Sequence, residues 1–525
     1  MARERSWQQK LLRWALIIAL AVESIYLVGG NLILNTGILS PIINKRPEKT
    51  LVEWSGGSTF LPGRLHVKGL RVRGQSKGQQ WEFEVAEADV RISLLALARK
   101  TIRISRVRGT SFDFRLRPRL TEETKDLPDA ADFPDIAGLS NPPNPAPEDI
   151  YPPRKNRDKP GWHLDLSDVE FKGPMSLWVA GARMSGNGLV AADLDFLFRR
   201  QFHLSRAIFD LSDGEIALGD NPVVGDLEIS ADLTLGPFAP QEVKGLEVLD
   251  YLLGTSRLDN GEIKDLSVLN AYVPGAGSFE LTKGHVSFSW SFDKPSVEEG
   301  SSGVLAISAQ GAEMLIAGRQ VAGDLDLRSN LVRGSLREGR WEVADTTLAL
   351  DNMILEVVKS GDGAGAPEHD PEDLWWGHFT IETGSVDLGQ PSSLAVEANF
   401  EIKDTRPLLE IFMAKPNETG EGAKVPRWLR LIPNVTNLGG TASLVLDADG
   451  AILDDVVIQG DKFDFLARLS SQGQESTGVL YVRYKALDFG LDMTGGKSDL
   501  KILRPKKWFL EQLGPEDTAM RAVLE

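Results

Sequence analysis

Cysteine occurs nowhere in the 525 residues. Its absence removes disulfides, thiol nucleophiles, thiolate-bound zinc and iron–sulfur clusters, so an exported domain of this sequence must rely on a packed core or a continuous sheet. Histidine is scarce: His66, His163, His203, His285, His369 and His378 are the full set, and no two stand at metal-ligand spacing. Glu368-His369-Asp370-Pro371-Glu372-Asp373 gathers oxygen ligands around one of them, yet in Gly-, Pro- and acid-rich surroundings that read as a solvated loop. Asp447-Ala448-Asp449-Gly450 lacks the downstream glutamate of a calcium loop and reads as a hairpin turn. No phosphate-cradling G-x-x-x-x-G-K-[ST] and no H-E-x-x-H is present. The chain is therefore not expected to be an enzyme, and no cofactor or metal is expected. Positive charge is also in deficit, with 58 Lys+Arg against 75 Asp+Glu and a net charge of −17, so bulk attraction to nucleic acid is not expected.

Long apolar runs are absent except for one, Leu11 to Leu34 (LLRWALIIALAVESIYLVGGNLIL). About 20 predominantly apolar residues cross a bilayer as a helix. Arg3, Arg5, Lys10 and Arg13 precede it against Glu4 alone, which by the positive-inside rule leaves the short N-terminus in the cytoplasm. A cleaved signal peptide is the competing reading, but Ile25-Tyr26-Leu27-Val28 prolongs the apolar run past where a cleavage site belongs. Glu23 lies near the middle of this span, where an ionisable group is costly. Arg13, ten residues and about 15 Å away along a helix, cannot pair with it. Glu23 then contacts another membrane protein, or is protonated, or the span is shifted toward Asn31.

What is abundant is alternation. Beyond the anchor the pattern has period two, the signature of half-buried strands. Trp81, Phe83 and Val85 alternate with acids. Ile102 and Ile104 flank Arg103, and Phe112, Phe114 and Leu116 alternate with Asp113, Arg115 and Arg117. Trp162, Leu164 and Leu166, then Leu325 and Leu327, then Phe463 and Phe465 continue the theme. Dipeptides such as Asp213-Gly214, Asn260-Gly261, Lys283-Gly284 and Gly439-Gly440 read as turns, giving an all-β chain of about 25 to 30 strands. Short helices are expected at Ser93–Lys100, Glu242–Leu253, Asp404–Met413 and Lys507–Leu513. Between Phe60 and Leu120 there are 14 Lys+Arg and 5 Asp+Glu. This basic segment, with Arg64, Lys68 and Arg71 among its cations, either faces anionic headgroups or covers the wet side of a sheet. Residues 121–160 hold nine prolines and few apolar groups, which reads as a disordered linker. The expected organisation is a cytoplasmic tail (1–10), an anchor (11–34), a basic membrane-proximal β segment (35–120), the linker (121–160), a repetitive β region (161–500) and a C-terminal short helix and tail (501–525).

Several segments together resemble the AsmA-like family of Gram-negative envelope proteins, which includes TamB and is similar to bridge-like lipid-transfer proteins. They are the single anchor leading into LPGRLHVKGLRVRG (61–74), then WEFEVAEADVRISLLALARKTIRISRVRGTSFDFRL (81–116) and GWHLDLSDVEF (161–171). TRPLLEIFMA (405–414) and VPRWLRLIPNVTNLGGTASLVL (425–446) follow late in the chain. The resemblance implies an elongated, curled antiparallel sheet with an apolar groove, an inner-membrane anchor, a periplasmic bulk, phospholipid as ligand and other envelope proteins as partners in outer-membrane biogenesis. Under it the apolar residues named above line the groove, with Glu23, Arg64, Lys68 and Arg71 facing membrane or partner. The alternative is a non-catalytic envelope scaffold.

Overall fold

A computed structural model describes residues 2–76, 78–122, 128–139, 161–198, 200–219, 221–240, 242–243, 245–272, 279–316, 319–356, 374–387, 393–405, 435–447, 450–472, 475–493, 499–514 and 517–525. The chain divides into two compact units, Met1–Leu258 and Asp259–Glu525.

The first unit opens with helix α1 (Ala2–Asn35) and the short α2 (Ser40–Ile43). Lys10–Asn35 within α1 is long and apolar enough to cross a membrane. The strands are β1 (Thr50–Glu53), β2 (Gly56–Leu61), β3 (Arg64–Gln75) and β4 (Gln79–Ile92); helix α3 (Leu94–Leu97) then precedes β5 (Thr101–Pro118). After a 3-10 turn at Pro128–Asp132 come β6 (His163–Val179), β7 (Ala182–Leu197), β8 (Gln201–Leu218) and β9 (Asn221–Phe238); the boundary at Leu258 falls within β10 (Leu252–Ile263). The second unit continues with β11 (Phe279–Lys294), β12 (Ser301–Ile316), β13 (Arg319–Ser335), β14 (Arg340–Glu356), β15 (Trp375–Asp387) and β16 (Ser393–Asp404). It ends with β17 (Thr436–Leu446), β18 (Gly450–Gly460), β19 (Phe463–Gln472), β20 (Glu475–Tyr484), β21 (Leu487–Asp492), β22 (Asp499–Lys501) and helices α4 (Pro505–Gln512) and α5 (Thr518–Leu524). The 22 strands belong to one sheet, so the all-β expectation holds.

Three expectations change. The strands are fewer and longer than read, because most of the dipeptides taken as turns lie inside strands. Asp213 and Asn260 adopt positive φ, at 50° and 57°, and the ladder slips at Leu211/Gly214. Asp345, Asn352 and Asp455 do the same elsewhere. Asp and Asn tolerate the left-handed region, so these are β-bulges that bend a strand without ending it. The sheet is also not wholly antiparallel: β5 and β6 run parallel, with Thr101 beside His163 and Leu116 beside Val179. A parallel neighbour requires a long crossover, and residues 119–162 supply it. Finally, part of that crossover is packed. Ile136 and Leu139 are buried, so the disordered reading does not extend to Pro128–Leu139; 123–127 and 140–160 lie outside the described residues. Of the expected helices, 94–97 and 505–512 are present, and Gly245–Tyr251 is a 3-10 turn running into β10. The one at 404–413 lies outside the described residues from 406 onward, as does Glu368–Asp373.

The helix–sheet junction is specific. Asn31 donates to the Thr59 carbonyl at 3.0 Å and accepts from the Thr59 amide at 2.9 Å. Asn35 does the same for Gly57, at 2.7 and 3.2 Å. Each carboxamide thus stands in for a neighbouring strand on the edge strand β2, whose free backbone groups would otherwise need water or another chain. The spacing works because four helical residues rise about 6 Å and two strand residues about 6.7 Å. Tyr26 completes the series on Thr59 Oγ1 (2.5 Å) and the Leu61 carbonyl (3.1 Å). The double variant Asn31→Ala/Asn35→Ala is expected to deprotect the Gly57 and Thr59 amides by at least tenfold in hydrogen exchange, with the β4–β5 amides unchanged.

Candidate functional site: an apolar sheet face and an arginine row

Directly opposed residues on neighbouring strands project to the same face, so the ladder registers show what each face carries. In the first unit Ile102, Leu164, Phe196, Phe202 and Phe238 stand opposite one another from β5 to β9. The adjacent row is Ile92, Ile104, Leu166, Leu194, Leu204 and Leu235. Phe83, Phe114, Leu177, Met184 and Ile216 make another, and Trp81 stands opposite Leu116. All residues of the first two rows are only half-buried, and the described strands form a single sheet with no second one over them. Phe83 and Phe112 pack with Phe171 at ring separations of 5.6 to 5.8 Å, around buried Val85. Trp162 lies just ahead of β6 and is exposed.

The second unit repeats this arrangement. Phe288, Ile307, Leu327, Leu348, Phe379 and Phe400 stand in one row from β11 to β16. It continues through Gly440, Ile458, Phe465, Val482 and Phe489 to β21. Leu325 and Leu350 belong to the next row. An open depression of about 330 Å³ lies on the early part, lined among others by Phe288, Ile307 and Leu327. The exposure changes along the way. Ile307 to Phe400 are half-buried, whereas Ile458, Phe463, Phe465 and Val482 are buried in one apolar cluster. On the opposite face of the same strands Val457, Leu466 and Tyr481 are covered by Phe509, Leu513, Met520 and Leu524 of the α4–α5 region. Phe463 and Phe465 are therefore core residues, not groove-lining ones: strands β18–β20 are buried on both faces.

The polar face carries its own pattern. Arg64, Arg91 and Arg106 stand opposite one another on β3, β4 and β5. Like charges placed directly opposite destabilise a sheet. Among the described residues Arg64 and Arg91 have no ion-pair partner, while Arg106 meets Asp168 at 3.2 Å. The next row is His66, Asp89 and Arg108, with His66 on Asp89 at 3.0 Å and Arg108 on Asp168 at 2.5 Å. The Arg108 hydrogen bond holds the Asp168 carboxyl below the usual carboxylate range. The two rows, with Ser58, Phe60, Leu61, Leu65 and Val90, line an open depression of about 610 Å³. Of the other cations singled out in the sequence, Lys68 pairs with Glu87 at 3.2 Å and Arg71 with Glu84 at 2.8 Å. They are neutralised, unlike Arg64.

Farther along β5 the arginines turn inward. Arg117 is buried and donates to Gln80 Oε1 (2.9 Å) and to the Pro134 and Leu139 carbonyls (3.0 and 3.2 Å). Arg115 reaches the Asp135 carbonyl at 3.2 Å, and Arg73 reaches that of Ala137. All three bind the crossover segment to the sheet, Arg117 from a buried position and Arg115 from a partly exposed one. Beside them Glu82 is buried, with Arg71 and Arg115 at 3.8 and 3.7 Å, and burial pushes its carboxyl above the usual range.

Phe196, Phe202, Phe238, Phe379 and Phe400 were not singled out in the sequence, although DLDFLF and QFHLS alternate as clearly as the segments that were. Gly74-Gln75-Ser76-Lys77-Gly78 spells the G-x-S-x-G of a nucleophile elbow. Gly74 and Gln75 lie on β3 opposite Trp81 and Gln80 of β4, whereas an elbow joins a strand to a helix, so the motif carries no such role. Comparison with protein-family models, with curated proteins and with solved structures finds no match.

Proposed function

We propose that this chain is a membrane-anchored, non-catalytic lipid carrier, holding phospholipid acyl chains on the apolar face of its sheet within the periplasm of a Gram-negative envelope. The observation that carries the reading is the pair of half-buried apolar rows from Ile102 to Phe238 and Ile104 to Leu235 on a single-layer sheet. Five strands at about 4.8 Å spacing cover about 19 Å, enough for an extended acyl chain. Each CH₂ kept from water contributes about 0.8 kcal/mol, both in a bilayer and against these rows. Movement between the two is then nearly level in free energy, and direction has to come from elsewhere. The membrane-spanning length of α1 and the resemblance of residues 61–116 to AsmA-like proteins support the same assignment.

The test is lipid extraction and mass spectrometry of the full chain purified in detergent, together with crosslinking by a phospholipid bearing a diazirine on its acyl chain. Phospholipid is expected to co-purify, and crosslinks are expected within residues 194–204 but not within 463–466. Leu194→Asp should cut occupancy at least fivefold with little change in thermal stability. Protein that carries no phospholipid and gives no crosslink would sink the proposal and favour a scaffold.

A further inference from the structure

The junction between α1 and β2 also fixes a direction. Tyr26 meets Leu61 and Thr59, Asn31 meets Thr59, and Asn35 meets Gly57, so the helix runs alongside the strand with its N-terminal part continuing past the β2–β3 hairpin. Nine helical residues and four strand residues both cover about 13.5 Å, which keeps the two axes aligned. At that same end of the sheet the turns are bonded side by side: the Ile92 amide to the Gly63 carbonyl at 2.7 Å, the His163 amide to that of Lys100 at 3.0 Å, and the Phe198 amide to that of Trp162 at 3.2 Å. These tips carry exposed apolar side chains, with exposed Arg99, Lys100 and Arg200 beside them. Phe60 is 72% exposed and Leu95 86%, and Leu94, Trp162 and Phe198 lie beside them exposed as well. Arg64 stands opposite Leu61 across the β2–β3 hairpin and Arg91 opposite Arg64, so the arginine row lies directly behind the Pro62-Gly63 turn and helix α3.

We propose that this end of the first unit is a second membrane contact. Phe60, Leu94 and Leu95 enter the leaflet from which α1 emerges, and the Arg64–Arg91–Arg106 row binds the phosphates of anionic lipid headgroups. Interfacial apolar groups sink about 5–10 Å into the headgroup and acyl boundary, which brings the cations directly behind α3 to the level of the headgroups. An anionic headgroup also accounts for two unneutralised arginines set opposite each other, and guanidinium forks suit phosphate oxygens. From Leu11, where the cationic tail ends, to Asn31 on β2 the helix runs about 30 Å, the thickness of a bilayer core. Glu23 lies three residues, about 4.5 Å, farther into the membrane than Tyr26. The strands of β2–β5 consequently stand on end against the membrane, with their ladder direction along its plane.

This inference rests on α1 as a membrane span and not on lipid carriage, and its test separates the two. Because the chain has no cysteine, Leu95→Cys and Val179→Cys each provide a unique labelling site, at opposite strand ends. The full-length chain, labelled with NBD, is reconstituted in phosphatidylcholine vesicles containing phosphatidylglycerol and a shallow doxyl-lipid quencher. The label at 95 is expected to be quenched at least threefold more than the label at 179, and Arg64→Gln/Arg91→Gln is expected to halve that quenching. Vesicles without phosphatidylglycerol should give the same reduced value with or without the arginine substitutions. Equal quenching at 95 and 179 overturns the docking end; quenching at 95 that ignores both the arginines and phosphatidylglycerol overturns the headgroup assignment.

Discussion

Phe465→Ala is expected to cost about 3–5 kcal/mol of unfolding free energy, and Phe465→Asp to abolish cooperative unfolding of the second unit. Phe465 lies in a cluster with Ile458, Phe463, Leu480 and Val482, all nearly inaccessible. Strand β19 has no solvent side there, since Leu466 points into the layer beneath Phe509 and Met520. A truncated ring would leave a cavity that neither face can close. Denaturant titration monitored by tryptophan fluorescence measures this loss. Leu204→Ala, on a half-buried row of the first unit, should cost less than half as much. If the two variants were equally destabilised, the difference between a closed end and an open face would disappear.

The second large effect is expected at Arg117. Arg117→Met removes a buried guanidinium that satisfies Gln80 Oε1 and two carbonyls of the crossover. Each buried acceptor left without its partner costs about 1–3 kcal/mol; here part of that is recovered because the Pro134 and Leu139 carbonyls can return to water if the segment lifts away. We expect about 2–3 kcal/mol, and new protease cleavage between 128 and 139 at concentrations that leave the native protein intact there. Lysine at this position should rescue little, having no planar fork for three acceptors. Unchanged cleavage in Arg117→Met would show that Ile136 and Leu139 hold the segment without it.

Most of the architecture was legible because period-two alternation is a local signal: Trp81/Phe83/Val85 and Leu164/Leu166 announce both strand and face. Three features were not. Asp213-Gly214 and Asn260-Gly261 look alike whether they close a hairpin or make a bulge, since both demand positive φ; only pairing partners tell them apart. The parallel β5–β6 junction is invisible because strand direction depends on where the crossover returns. The arginine row is likewise a product of register. Arg64, Arg91 and Arg106 are separated by 27 and 15 positions, and nothing near any one of them announces the others. Double-sided burial of β18–β20 did leave a trace in the unbroken apolar runs Val456-Val457-Ile458 and Val479-Leu480-Tyr481-Val482, which alternation alone misassigns to one face.

The parallel junction sets a minimum length on the chain. Pro134 and Leu139 are fastened beside Arg117, while His163 begins β6 beside Thr101, sixteen strand residues or about 53 Å away. The 24 steps from Leu139 to His163 extend to at most about 86 Å, and direct passage consumes about 15 of them. Only about nine residues are slack, so deletions from 140–160 should be silent up to that point. Beyond it, either the Arg117 fastening releases or β6 slides along β5, turning a linker's length into a switch of register.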